Sequence, residues 1–570
     1  MPVGDPPRFP RERERNGMAE RETRSTDVLV VGGGIGGSLA ALEAARSGAQ
    51  TAMVLKGGPG RGARGNTAVA GGGFAAAFCH VDPSDSPEEH FRYTVRGGEF
   101  LNDQRLVRVM AEEAPERVHY LESLGVEFER DGDGYRQRQA PGHSHPRSVM
   151  VAGGRMAQLG RALGERVKES GVEVHRGLTL VEVLVAEGQA VGAACLTEEG
   201  RRVDIRARAV VLATGGLGQL YPVTSNPSFM TGDGFTAGYR AGARLRDMEF
   251  VQFTPAGLLH PESARGLSVN HELLAHPRAR VFNGQQQLLG PLGPGMVRHL
   301  GFRLDMIRLF HQEIQSGRGS PHGGVFLDLS GVPSEEIARL SPSLWDVLVA
   351  LKIDSARELL EVAPEVHFFM GGFDVDERGE TSLPGLFAVG ETASGCHGAN
   401  RLTHNAFPEV IVFAPRAGQA AGEHSLKLSG GLLPEPCPLE DWCWPAAPEL
   451  REQLRAVMLA AGGPIRTSEG LASGLVKLRE LRSELSRTPM DAQEAPLAGL
   501  ATRNLLQVAE LVLSSAQSRE ESRGSHFRED RPTRDDARWL VNLLVERGPE
   551  GPRLHKRSAD LLYQRPEAAC

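Results

Sequence analysis

Residues 27–31 (DVLVV) form a short apolar, β-branched run, the pattern of a strand buried on both faces. A glycine turn follows. Alanine-rich residues 38–46 (SLAALEAAR) then predict a helix that Gly48 ends, and residues 51–55 (TAMVL) predict a second strand. Strand, glycine turn, helix and strand make one βαβ unit. Further along, residues 87–94, 105–124 and 157–167 carry helical patterning, whereas 172–175, 179–185 and 209–213 read as strands. From 249 to 349 proline, glycine and mixed loops increase, which predicts a second domain inserted over the first. Glycine-rich signals return at 367–418, where the first domain is completed. Residues 434–448 are proline-rich and read as a linker, and from 449 onward helical periodicity dominates. The predicted order is a disordered tail over 1–25 and a discontinuous α/β Rossmann-like domain over 26–248 and 350–430. An α+β capping domain spans 249–349, and a linker with a C-terminal helical domain spans 431–570.

Composition narrows the function classes. A chain of 570 residues is too long for one hydrophobic core, and 40% hydrophobic with 24% charged residues is the balance of a globular protein. A net charge of −8 without a long basic block argues against nucleic-acid binding. The six cysteines are scattered with no CxxC pair, so neither a zinc site nor a disulfide framework is indicated. That usage fits a reducing compartment and leads us to expect a cytoplasmic protein. No apolar stretch is long enough to span a bilayer, and the start lacks a secretory pattern, so direct membrane insertion is not expected. Met18 lies within the polar opening stretch and would serve as a start as well as Met1.

The turn Gly32-Gly33-Gly34-Ile35-Gly36-Gly37 satisfies GxGxxG through Gly32, Gly34 and Gly37. The first glycine allows a tight turn, the second a close approach to a pyrophosphate, and the third close packing of helix on strand. The motif is weak alone, but here it follows a strand and opens a helix. The acid expected about 20 residues on, which would hold a ribose, is replaced by Leu55-Lys56. Two later motifs select FAD over nicotinamide: Ala213-Thr214-Gly215-Gly216 ends an apolar strand, and residues 385–391 (GLFAVGE) lead a strand to Gly390 and Glu391.

These motifs, with residues 397–402 (HGANRL), 66–74 (NTAVAGGGF), 231–234 (TGDG), 248–255 (MEFVQFTP), 366–372 (VHFFMGG) and 519–528 (REESRGSHFR), resemble one family: the flavoproteins of succinate dehydrogenase, fumarate reductase and L-aspartate oxidase. The resemblance implies an FAD domain with an inserted cap and a helical C-terminal domain. It assigns FAD contacts to Gly32, Gly34, Ile35, Gly37 and Lys56, and to Asn66, Thr67, Gly72 and Gly73. It assigns others to Thr214, Gly215, Asp233, Gly390, Glu391, Asn405 and Ala406. Asn66 stands where the respiratory enzymes carry a histidine linked covalently to FAD, which implies non-covalent FAD here. That position, residues 142–147 (GHSHPR) and the Leu55-Lys56 strand ending all lean toward L-aspartate oxidase.

For the substrate, the resemblance makes Arg401 a carboxylate clamp, a role that suits a bidentate guanidinium. It places His367 beside the same carboxylate. Three departures stand out. Thr254 replaces a substrate-binding histidine. A Thr-Glu pair corresponds to Asn270-His271 or to His271-Glu272. Gln286 sits nearest the place of the arginine that delivers a proton in fumarate reductases. Glutamine neither titrates nor carries charge, so ordinary fumarate reduction is disfavoured. His271 reads equally as an acid or base titrating near neutrality and as a surface loop residue. The leading expectation is an L-aspartate oxidase-type enzyme moving a hydride between a small carboxylate or amino acid and flavin, with oxygen or another acceptor. A fumarate reductase or succinate dehydrogenase subunit with an iron–sulfur partner, and a decayed FAD-binding protein, remain as alternatives.

Overall fold

The computed structural model describes residues 22–57, 65–71, 73–140, 142–154, 156–289, 301–428, 431, 433–439, 442, 444–489 and 496–566. Residues 1–21 of the expected tail, and Gly72, lie outside the described residues.

The predicted first strand is real but longer, running over Glu22–Val31. Residues 22–25, expected in the tail, are drawn into the ladder because Arg202–Leu212 offers partners from Val203 onward. Glu22–Val31 lies inside a seven-stranded sheet, parallel to Thr51–Leu55 on one side and to Arg202–Leu212 on the other. Val28 and Val30 point into one buried cluster and Leu29 and Val31 into another, so both faces are covered. The long strand Arg202–Leu212 pairs antiparallel with Gln189–Leu196 along its first half and parallel with Leu386–Ala388 at its end. Helices Ile35–Arg46 and Ala406–Lys427 pack against each other beside this sheet; a Cβ on Gly418 would lie 2.1 Å from the Ala40 carbonyl oxygen. The C-terminal ends of the parallel strands open into a crevice, the usual ligand position in such sheets.

The insertion forms its own four-stranded antiparallel sheet in the order Val251–Leu258, Leu360–Phe369, Val325–Asp328, Arg280–Phe282. Its core includes Leu258, Leu273, Phe310, Val325, Leu344 and Val362. The strand Leu360–Phe369 therefore lies in the cap's sheet, beyond the border read at 349, because it is the ladder partner of two cap strands.

Helices Pro448–Gly462, Ser468–Arg487 and Pro496–Ser518 follow the proline-rich stretch. The C-terminal region is not helical throughout. Val541–Arg547 and Pro552–Ser558 form a hairpin, and Val541–Arg547 pairs with Leu245–Arg246 to extend a five-stranded sheet. A buried ionic network secures this junction. Arg519 donates from Nε to Glu249 at 2.7 Å and from Nη1 to Glu521 at 2.9 Å, and its guanidinium lies over the Phe250 ring. Among the described residues no helix is long and apolar enough to cross a membrane.

Candidate active site

One cavity of about 1080 Å³ runs from the glycine turn to the underside of the cap. It is larger than most small-ligand pockets, which fits a dinucleotide plus a small substrate. At its first end Gly32 has φ +118°, and a Cβ there would sit 2.1 Å from the Ala213 carbonyl oxygen. A Cβ on Gly37 would sit 1.9 Å from the Gly32 carbonyl oxygen, so this glycine lets the helix close on the turn and does not itself line the cavity. Helix Ile35–Arg46 begins at Gly34, which has no side chain to cap it, and its positive dipole end faces the cavity. The Ile35 N–H reaches Thr67 Oγ1 at 3.2 Å.

A carboxylate does stand near the end of the second strand, brought there by another segment. Lys56 Nζ donates to Asp233 Oδ2 at 2.7 Å and to Thr231 Oγ1 at 2.8 Å, and both Lys56 and Asp233 line the cavity. Asp233 opens helix Asp233–Arg240, so the cavity has a carboxylate beside the strand ending, held by the lysine that replaced it. Thr214, Gly215, Gly390 and Ala406 line the same space. Gly73 and Asn405 do not: Asn405 is buried between His90 Nε2 at 2.9 Å and Thr94 Oγ1 at 2.9 Å and secures the start of helix Ala406–Lys427.

Deeper in, Glu391 accepts from the Phe369 N–H at 3.0 Å and from Asn66 Nδ2 at 2.9 Å. Burial pushes its carboxyl up to about 7, against the pull of those two donors and Arg401. Asn66 Oδ1 is buried with no protein partner. The uncapped helix end, the glycine cradle and this orphaned amide oxygen are what a bound flavin dinucleotide would complete.

The far end is cationic. Arg401 is buried, with Nη1 donating to the Leu402 carbonyl at 3.2 Å and its guanidinium 4.6 Å over the Phe368 ring. Beside it lies Arg303, on helix Phe302–Glu313, which donates to Asn400 Oδ1 at 2.8 Å and to the Arg401 carbonyl at 3.0 Å. Both arginines keep a buried Nε without a partner, and among the described residues neither forms an ion pair. Burial, with Arg401's charge adding to it, drives Arg303 down to about 9; burial drives Arg401 down to about 10, with Glu391 and Glu409 opposing. Two charges held this way call for an anion.

Arg303 was not among the expected site residues, and it corrects one that was. Gln286 does not line the cavity: it is exposed at φ +61° in the turn that Asn283 organises. The cationic position assigned as lost at Gln286 is filled from Arg303. His271 and Glu272 both line the cavity, so the surface-loop reading of His271 falls. The reading of it as a group titrating near neutrality falls as well. Burial, then the charges of Arg303, His367, Arg401 and His404, hold it well below its ordinary value, and its Nε2 has no partner. His271 is a neutral imidazole facing two guanidinium groups. Burial raises Glu272. His367 and Thr254 line the cavity as expected, and so does His404, held at about 4 by burial and Arg401 with Nδ1 2.8 Å from Ser148 Oγ.

Known proteins share this architecture. The FAD binding domain family matches residues 27–406, and the fumarate reductase flavoprotein C-terminal family matches 451–567. Among curated relatives, a CoM/CoB fumarate reductase chain of Methanothermobacter marburgensis is 36% identical over 93% of this chain and 99% of its own length. An L-aspartate oxidase of Streptomyces coelicolor is 33% identical over 92% of each chain. A solved E. coli quinol fumarate reductase chain superposes with a TM-score of 0.84 at 30% identity, covering 96% of this chain and 99% of that one. Cradle, cap and paired arginines thus sit in a chain that belongs to the FAD-dependent oxidoreductases of the succinate dehydrogenase and fumarate reductase flavoprotein family.

Proposed function

We propose that this enzyme moves a hydride between a small carboxylate, an amino acid foremost, and its flavin. The observation that carries this reading is the pair Arg303 and Arg401: two buried guanidinium groups on the cavity that, among the described residues, pair with no carboxylate. A substrate carboxylate supplies the missing counter-charge through short, charge-assisted bonds. FAD, held non-covalently beside Asn66, supplies the hydride acceptor or donor. His271, neutral and without a partner at Nε2, offers a further hydrogen bond from the cap. Holding the substrate between cap and FAD domain fixes the reacting carbon against the flavin and excludes water.

The test is anaerobic mixing of the holoenzyme with L-aspartate and other small carboxylates while following flavin bleaching, then peroxide in air to read oxygen as acceptor. A panel of carboxylates that leaves the flavin spectrum untouched would sink the reading. Arg303 also favours a second reading, reduction of an unsaturated dicarboxylate such as fumarate. In that direction the carbon beside the hydride needs a proton, and Arg303, driven down to about 9, stands in the cavity to give one. Electrons would then come from another protein. Rapid reoxidation of the reduced flavin by fumarate, with no bleaching by L-aspartate, selects this second reading.

A further inference from the structure

One wall of the cavity is built on a carboxylate that the proposed chemistry does not use. Glu365 is fully buried on the strand Leu360–Phe369, directly across the ladder from Thr254. Thr254 Oγ1 donates to Glu365 Oε1, and the Ser225 N–H donates to Oε2 at 2.8 Å. His367 Nδ1 lies 3.6 Å from Oε1 and 2.9 Å from Ser225 Oγ. Thr254, Ser225 and His367 line the cavity; Glu365 stands one layer behind them. Among the described residues no lysine or arginine pairs with it.

This arrangement fixes a polarity. A hydroxyl has one proton to give. Thr254 spends it on Glu365, so toward the cavity its oxygen can only accept. A ligand group with only lone pairs would meet lone pairs here, whereas an ammonium, or a hydroxyl or thiol proton, would meet an acceptor. The cavity therefore offers guanidinium donors at Arg303 and Arg401 and an acceptor at Thr254.

We infer that Glu365 is a positioning residue which, through Thr254, makes this corner select substrates carrying a hydrogen-bond donor, an ammonium before all, over those that lack one. The inference rests on the carboxylate reading above and deepens it: the substrate class is a small carboxylate with a donor beside the reacting carbon.

The test is rapid anaerobic mixing of the FAD-loaded enzyme with succinate and L-aspartate, a pair that differs by one amino group, with binding read from the flavin's spectral shift before any bleaching. The expected result is that L-aspartate binds at least about tenfold tighter, the contribution of one hydrogen bond to a charged group. Glu365→Gln, with unchanged FAD content and melting temperature, is expected to shrink that ratio to within about threefold by weakening L-aspartate, because an amide in this place can donate to Thr254 and turn that hydroxyl's proton toward the cavity. If this variant fails to hold FAD, Thr254→Val reads the same corner: the ratio falls because L-aspartate loses its acceptor. Equal binding of the two ligands by the wild-type enzyme, or a ratio unmoved in both variants, overturns the inference. Should Arg303→Gln and Arg401→Lys weaken both ligands alike while the ratio stays at one, only the donor corner fails. If no carboxylate perturbs the flavin, the carboxylate reading fails and this inference with it.

Discussion

Replacing Arg303 by glutamine is expected to weaken carboxylate binding while leaving the ligand-free protein as stable as before, or more so. The two effects have opposite causes. Arg303 sits buried beside Arg401, and burial together with that neighbouring charge pulls it down to about 9. Removing the charge relieves Arg401, and the glutamine amide can still donate to Asn400 Oδ1, which Arg303 reaches at 2.8 Å. The ligand, by contrast, loses a charge-assisted bond worth ~1.5–3 kcal/mol, which is about one to two orders of magnitude in Kd. The assay is one sample read twice: flavin absorbance on titration with succinate, fumarate or L-aspartate, and thermal unfolding without ligand. A Kd within about threefold of wild type, together with a melting temperature several degrees lower, would show that Arg303 is a structural pin and refute the reasoning.

Three further outcomes follow from the geometry. Gly37→Ala puts a methyl 1.9 Å from the Gly32 carbonyl oxygen, so the protein is expected to purify without flavin; a normal absorbance ratio of flavin to protein would contradict the assigned packing. Arg519→Met strips the buried Glu249 of its guanidinium and is expected to cost about 3–5 kcal/mol by denaturant midpoint. Burial already pushes Glu249 up to about 7, so the loss should be larger at pH 8 than at pH 6, and equal losses at both would contradict the pairing. Glu391 is held at about 7 by burial, above its ordinary 4.5, so between those values the folded apoprotein keeps a proton that the unfolded chain has released. Stability should therefore fall as pH rises from about 4.5 to 7, by up to about 3 kcal/mol, and Glu391→Gln should flatten that slope in apoprotein melting curves.

The FAD half of the site was legible because its signals are local. A tight turn between a strand and a helix can be built only by Gly32 and Gly37, and chain order alone declares it. The substrate half is assembled from distant segments, and there the sequence misled. Arg303 opens an amphipathic helix with no motif around it, and the nearest landmark, the Asn283-Gly284 turn, drew attention to Gln286 instead. Glu365 lies only two residues before His367, but the ladder slips at His367, so strand alternation alone does not bring the two together. Its partner Thr254 is named only by the ladder register, which no single strand reveals. For His271 the sequence left site and surface loop even, and its charge state was out of reach, since that depends on burial and on guanidinium groups arriving from two other segments. The C-terminal hairpin was missed because Val541–Arg547 is stabilised by the edge at Leu245–Arg246 and not by its own pattern.

The cap leaves and rejoins its host at neighbouring points: Val251 stands opposite Phe369, and the Met370 N–H bonds the Phe250 carbonyl at 3.1 Å. An insertion whose two ends touch leaves the host's thread continuous, so the cap joins through a double-stranded strap, while Ile307, Val251 and Phe253 pack into the host's core. Its Arg303 and the host's Arg401 then face each other as like poles across a seam. On the proposed function, a carboxylate seated between them would tie cap to host, so the molecule to be oxidised or reduced would also strengthen the joint that holds it.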